Sequence, residues 1–411
     1  MAEEQDTPPP AKLRLRPFAA MRYDADAVGD IGEVTSPPYD VMDRPMIEQL
    51  LEEHPHNIVR LILPRMVGDP VGTDNPYVKA AKRMRRWRSK GVLRTDPEPA
   101  LYVYEYGDDQ HRVCGLVGAL ELRKPHDQVV LPHEDVIPGI VADRLAGMST
   151  ARANLEPILL VYDGQRATSD LIADARSRPA LTDVHAPDGS VHRLWAITDR
   201  EQLGEIRRLL APHQALIADG HHRYATYLQL RRRHRSIGDG PGPWDRGLAL
   251  LIDQSEFPLQ LGAIHRSASE LDLAQLAAPR EFTISEPEPV GAAIPMPSAR
   301  AGGVVLTDGR QQREVLLVGE RENAVTDAEL VHTRLLPAWG VTEDRIGYHH
   351  TIEQTLSAAH REGGVAILLR PTSVTEVMAV ARAGKVMPRK STSFGPKPRM
   401  GLVMRSFDDE I

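Results

Sequence analysis

Residues Ala100–Leu122 read ALYVYEYGDDQHRVCGLVGALEL, two β-branched and aromatic runs separated by Gly-Asp-Asp-Gln. That pattern predicts a β-hairpin. A second one is predicted for GGVVLTDGRQQREVLLVG, Gly302–Gly319, around Asp308-Gly309. Hairpins build antiparallel pairs, so a regular doubly wound parallel sheet is excluded as the organising motif.

Outward from these hairpins, strand-like and helix-like pieces alternate. EPILLVYD (Glu156–Asp163), HRLWAIT (His192–Thr198) and LALLID (Leu248–Asp253) read as short strands, and NIVRLILP (Asn57–Pro64) as a buried strand stopped by proline. YVKAAKRMRRWRSKGVL (Tyr77–Leu93) places Ala80, Met84 and Trp87 on one helical face, with Gly91 as the stop. The cations Lys79, Lys82, Arg83, Arg85, Arg86 and Arg88 then fall on the solvated face. Ser373 and Glu376 form a capping box for a helix that Gly384 ends. The fold class expected is α/β, of the α+β kind with a mixed sheet. The expected organisation is a disordered tail over 1–12, a main α/β region over 13–283, a linker or surface loop over 284–302, and a C-terminal α/β region over 303–411.

The chain has 411 residues, 41% hydrophobic and 26% charged, which suits a soluble protein of more than one compact unit. The single cysteine, Cys114, cannot form an internal disulfide, and no stretch resembles a membrane span or secretory signal. A cytoplasmic location is expected. The net charge of -7 argues against nucleic-acid binding driven by phosphate neutralisation. There is no Gly-x-Gly-x-x-Gly or Walker-type loop.

Three segments carry candidate chemistry. In IADGHHRYATYLQLRRRHR (Ile217–Arg235) an apolar run precedes Asp219, Gly220, His221, His222 and Arg223, and a helix follows. Asp219 is expected to cap that helix, and Gly220 to turn into it. Free amides of a first helical turn attract anions, and Arg223 adds a charge-assisted donor. His221 and His222 are candidate proton carriers, and Asp219 a candidate catalytic carboxylate. Zinc is disfavoured, because adjacent histidines point apart and no further ligand spacing appears. In LPHEDVIPGIVADRLAGMSTARANLEPILL (Leu131–Leu160), His133 beside Glu134 suits general acid–base work or a magnesium ion, with Asp143, Arg144, Arg152 and Asn154 in support; a salt-bridged surface loop is the rival reading. In VMPRKSTSFGPKPRMGL (Val386–Leu402), cations including Lys390 and Lys397 surround Ser391 and Thr392, as phosphate binding asks; otherwise the stretch is an exposed basic loop. Tyr39 and Asp40 after Pro37-Pro38, and His265 and Arg266 after a strand-like run, are lesser candidates.

Taken together, SPPYDV, NIVRLILP, HEDV, ADGHHRYAT, IHR and MPRKSTSFGPKPRMGLV resemble, in order and spacing, the bacterial and archaeal family called domain of unknown function 1015, over about Arg16 to Val403. Its Asp-Gly-His-His-Arg stretch is similar to the phosphate-holding turn of the ParB/sulfiredoxin superfamily, which SerK-type free serine kinases also carry. The resemblance implies a ParB/sulfiredoxin-like core and a nucleotide-dependent enzyme. Its expected cofactors are ATP or ADP with Mg2+, and its expected acceptor a small molecule, with L-serine as the example. Only Asp219, Gly220, His221, His222 and Arg223 match that motif; roles for Glu134, Lys390, Ser391, Thr392 and Lys397 come from their chemistry. The rivals are a nucleotide-sensing or DNA-associated binding protein of the same superfamily, and a metal-assisted hydrolase using His133 and Glu134.

Overall fold

The structure is a computed structural model describing residues 11–39, 41–67, 75–291, 297, 302–319 and 325–410. Asp40, residues 1–10 of the expected tail, and residues 292–296 and 298–301 of the expected 284–302 linker lie outside the described residues. The chain divides into two compact units. One comprises Met1–Leu131, Val136–Leu259 and Pro396–Ile411, the other Pro132–Asp135 and Gln260–Gly395.

The first unit is built on a sheet of nine strands among the described residues: β1 (Leu15–Arg16), β2 (Leu101–Gly107), β3 (Arg112–Glu121), β4 (Val130–Leu131), β5 (Ile158–Tyr162), β6 (Thr182–His185), β7 (Val191–Ile197), β8 (Ala215–Asp219) and β9 (Arg246–Asp253). Their order is β4-β8-β5-β9-β3-β2-β7-β6, with β1 added on β3. β2 and β3 form the hairpin expected from Ala100–Leu122, Tyr102 facing Val117 and Gly107 facing Arg112. The sheet is mixed: β9 runs parallel to β5 and β8 parallel to β4, while the other pairs are antiparallel. β2, β5 and β9 are buried on both faces, which explains why they read as unbroken apolar runs rather than alternating ones.

The four longest helices of this unit among the described residues are α1 (Pro76–Ser89), α2 (Pro138–Ala151), α3 (Arg200–Leu210) and α4 (His221–Ser236). α1 starts at Asn75, whose side chain accepts from the amides of Tyr77 and Val78, with proline at its first position. It buries Ala80, Met84 and Trp87 as the periodicity requires, and burying the Met84 side chain alone is worth roughly 1.5–3 kcal/mol. α2 packs against both α1 and α4.

Two local expectations are corrected. Asn57–Pro64 is not a strand: Val59–Ile62 forms one helical turn. Asn57 accepts from the Val59 amide at 3.0 Å, while its Nδ2 donates to the carbonyls of Glu33 and Thr35. That side chain closes the turn and leaves no ladder to join. Val59, Leu61 and Ile62 are all buried, with only Arg60 partly exposed, so this short helix mimics a buried strand. Nor does Asp219 cap α4. It is the last residue of β8, and the cap position is Gly220 at φ 98°, with no side-chain cap.

The main sheet of the second unit has seven strands among the described residues: β10 (His265–Ala268), β11 (Phe282–Ile284), β12 (Glu288–Pro289), β13 (Gly303–Thr307), β14 (Gln311–Leu317), β15 (Ile346–His349) and β16 (Val365–Leu369). They run antiparallel in the order β11-β14-β13-β16-β10-β15, with β12 on β14. β13 and β14 are the second expected hairpin. Helices α5 (Ile352–Arg361) and α6 (Val374–Arg382) belong to this unit, and α6 opens with the Ser373/Glu376 capping box. Both units therefore mix strands and helices, which makes this an α/β protein.

Candidate functional site

β8 brings the chain through the core and releases it at Asp219, where Gly220 turns into α4. The positive φ of Gly220 is one that side-chain-bearing residues rarely adopt, and a Cβ there would sit 2.8 Å from Ile158 Cγ2. The turn is consequently tight, and Gly220 at the cap position supplies no side-chain cap to α4.

Around it sit an acid and two cations. Arg223, only 3% exposed, donates through one terminal nitrogen to Asp219 and through the other to the Pro157 carbonyl at 2.6 Å. Lys397 places its Nζ 3.2 Å from Asp219 Oδ1. Burial works to raise the Asp219 carboxyl, but Arg223 and Lys397 outweigh it and hold the group below the ordinary aspartate range. Burial opposes the Arg223 charge in turn, and Asp219 and Glu156 overcome that, keeping the guanidinium protonated. His221 is buried, and burial pushes its pKa down to about 4 against the pull of Asp219, so it is neutral at pH 7. His222 Nε2 accepts from the Ile137 amide at 3.0 Å, tying the start of α2 to the start of α4.

Arg223 also reaches a cavity of about 120 Å³ walled by Leu61, Met84, Met148 and Leu155. Its polar groups lie in two sets. Arg144 stands 3.7 Å from Glu156 and stacks over the Tyr39 ring at 4.1 Å. Asp143 accepts from Tyr77 and pairs with Arg65 at 2.8 Å. Glu156 Oε1 is buried without a hydrogen-bond partner among the described residues. The cavity brings Asp143 and Arg144, supporting candidates from the sequence, together with Glu156, Tyr77 and Arg65, which the sequence did not single out; Tyr39, a lesser candidate beside Asp40, lies under the Arg144 guanidinium. Glu156 sits in a run that reads only as strand, and Tyr77 and Arg65 lie too far along the chain for spacing to reveal them.

The remaining candidates of this unit hold the fold. Arg152 pairs with Asp408 at 2.7 Å. Asn154, buried, accepts from Arg405 at 2.9 Å and from the Leu248 amide at 3.2 Å.

Glu134, His133, Lys390, Ser391 and Thr392 belong to the second unit. There His133 Nε2 lies 2.9 Å from Thr392 Oγ1, which donates to Glu134 Oε1 at 3.3 Å. The Met387 amide donates to the His133 carbonyl at 2.8 Å and locks the two segments side by side. Ser391 donates to the Pro388 carbonyl at 2.6 Å. Lys390 is exposed at φ 56°, and its carbonyl accepts from Arg266 at 3.0 Å. Arg266 is wholly buried, reaches His332 Nε2 at 3.2 Å and lies over the Tyr348 ring at 5.0 Å. Burial lowers its pKa to about 10. His265 accepts from the Leu369 amide at 3.2 Å and opens β10, rather than ending a strand. Among the described residues no group of three or more His, Cys, Asp and Glu is placed to hold a metal ion. None of their helices is long and apolar enough to cross a membrane.

The pattern of the family described as "Protein of unknown function (DUF1015)" matches residues 15–331. The chain belongs to that family. The DUF1015 match takes in both the Asp219–Arg223 turn and the His133-Glu134 pair and stops short of Lys390 and Lys397. No curated protein matches the chain in sequence. Among solved structures the chain is similar to a free serine kinase in complex with AMP, at 12% identity and a TM-score of 0.32, covering 65% of this chain and 83% of that one. It is similar also to C-terminally truncated SbnI from Staphylococcus aureus, at 12% identity and a TM-score of 0.36, over 70% of this chain and 87% of that one. A conserved hypothetical protein from Pyrococcus furiosus matches at 13% identity and a TM-score of 0.31, over 69% and 94% respectively.

Proposed function

We propose that the protein is a nucleotide-dependent phosphotransferase acting on a small hydroxyl-bearing molecule, with free L-serine the first acceptor to test. The observation that supports this reading is the meeting of Arg223 and Lys397 at Asp219, where Gly220 turns into α4, beside a cavity lined by Arg223, Arg144 and Glu156. Phosphoryl transfer needs positioning and charge neutralisation more than covalent chemistry. The α4 amides and Lys397 would hold the phosphates of ATP or ADP, and Arg223, pinned by Asp219 and the Pro157 carbonyl, would keep its charge fixed beneath them. These residues suit such a group: the glycine turn admits close approach, and two cations face a single carboxylate. Mg2+ commonly uses one or two protein carboxylates together with substrate phosphates, and Asp219 is the carboxylate available at this turn. When bound, the metal supplies charge neutralisation.

Asp219, held ionised by two cations, is a poor proton acceptor. The cavity, at roughly 10–15 Å³ per water position, has room for a molecule the size of a small amino acid. Arg144 and Glu156 offer a cation and an anion for an ammonium–carboxylate pair. The test incubates the protein with ATP or ADP, Mg2+ and L-serine, then a panel of hydroxy amino acids and polyols, and follows phosphomonoester formation by 31P NMR. Nucleotide binding without turnover on any acceptor would instead favour a nucleotide-sensing protein. No binding at all would end the reading.

A further inference from the structure

At the other end of α4 the first unit holds a polar groove of about 540 Å³, a volume suited to a small-molecule ligand. Five arginines line it: Arg16 from β1, Arg123 after β3, Arg231 and Arg235 from the last turns of α4, and Arg246 at the start of β9. Only three acids face them, Glu121, Asp245 and Glu410. Those acids are already shared. Glu121 takes Arg16 at 2.6 Å and Arg123 at 3.0 Å, with Arg14 at 3.7 Å. Glu410 takes Arg246 at 3.3 Å and the buried Arg405 at 2.5 Å. Asp245 pairs with Arg235 at 2.9 Å.

Arg231 has no acidic partner among the described residues; it donates to the Leu122 carbonyl at 2.7 Å. Burial and the neighbouring Arg235 both disfavour its charge. Arg123 Nε is buried with no hydrogen-bond partner among the described residues. On a chain of net charge -7, this groove is a local excess of cations assembled from four separate stretches. The C-terminal end of a helix dipole supports cations there but neutralises little of their mutual repulsion.

We infer that this groove is a second anion site, which binds the di- or triphosphate group of a small molecule. Arginine is the side chain that forks onto phosphate oxygens, and several arginines around one cavity match several phosphates better than a single carboxylate. Arg231 lies ten residues beyond His221, about 15 Å along the helix, so this site is separate from the turn at Gly220. The inference does not depend on the phosphotransferase reading.

Inorganic tripolyphosphate is titrated into the full chain by calorimetry at constant ionic strength. The same is done with Lys397→Ala, Arg235→Glu and Arg231→Gln variants. Arg235 is 62% exposed, so its reversal leaves the fold intact, and Arg231→Gln keeps a donor for the Leu122 carbonyl. Lys397→Ala should still bind one equivalent, and Arg235→Glu should weaken that event by at least about tenfold, the loss of a charge-assisted contact. ATP binding as tightly as tripolyphosphate assigns the site to the phosphate chain alone, while tighter ATP binding assigns it to a nucleotide; both support the site. Absence of binding, or binding that Lys397→Ala removes and Arg235→Glu and Arg231→Gln leave unchanged, overturns it. If the phosphotransferase reading alone is wrong, the Arg235-sensitive event persists while Lys397→Ala has no effect on nucleotide.

Discussion

Replacing Asp219 by asparagine tests the electrostatic logic of the α4 turn most directly. The change keeps the shape of the side chain and removes its charge. Arg223 is then left 3% exposed, with only the Pro157 carbonyl as a firm partner. Breaking a buried ion pair by deleting one member costs about 3–5 kcal/mol, because the other charge stays behind uncompensated. Asp219 is 22% exposed and Glu156 still favours the arginine, so the lower end, about 3 kcal/mol, is expected here. Lys397→Met, the control for the second pair, should cost no more than about 1 kcal/mol. The double variant Asp219→Asn/Arg223→Met removes both buried charges, and should be more stable than the sum of the single losses by at least about 1.5 kcal/mol. Urea denaturation followed by tryptophan fluorescence reads this out, since Trp87, Trp195 and Trp244 all belong to the first unit. Additivity within about 0.5 kcal/mol would refute a coupled pair and with it the claim that Asp219 fixes Arg223.

Three other outcomes are expected. Gly220→Ala should destabilise the first unit by about 2–4 kcal/mol, from the positive φ and the contact with Ile158, and a circular-dichroism melt within 2 °C of the parent would contradict that turn geometry. His221 and His192 are each held, first by burial, with a pKa of about 4 against about 6.5 unfolded, so between these values the unfolded chain binds more protons. Stability is full above the unfolded value and falls with pH towards 4, by roughly 2 kcal/mol per histidine at pH 5; a His192→Phe variant with an equally steep loss would exclude that residue. Cys114 is 1% exposed and burial raises its thiol pKa to about 12, so a disulfide reagent should label it only at the rate of unfolding, and immediate labelling of the native protein would be incompatible with its place in β3.

Legibility followed the range of the interactions. The hairpins of β2–β3 and β13–β14, the amphipathic α1 and the capping box of α6 are set by residues a few positions apart, and their sequences declare them. The strand–glycine–helix passage from β8 to α4 was legible for the same reason. The role of Asp219 was not, because a capping aspartate and a salt-bridged one look alike until Arg223 and Lys397 are seen on either side. Asn57–Pro64 misled because a single helical turn with only Arg60 partly exposed shows almost no polar face. The arginine groove, built from residues between Arg16 and Glu410, leaves no local trace.

Lys397 belongs to a segment that closes the first unit late. Met404 pairs with Met21, Ser36 with Met400, and buried Arg399 donates to Thr35 Oγ1 at 2.6 Å. Everything from Gln260 to Gly395 is made between the body of this unit and that segment. At about 5–20 residues per second, the nascent unit waits roughly 7–27 s with its lysine absent. During synthesis the turn at Gly220 thus exists with Arg223 in place but without its second cation. An incomplete chain released from the ribosome in that interval would carry Asp219 paired with Arg223 alone.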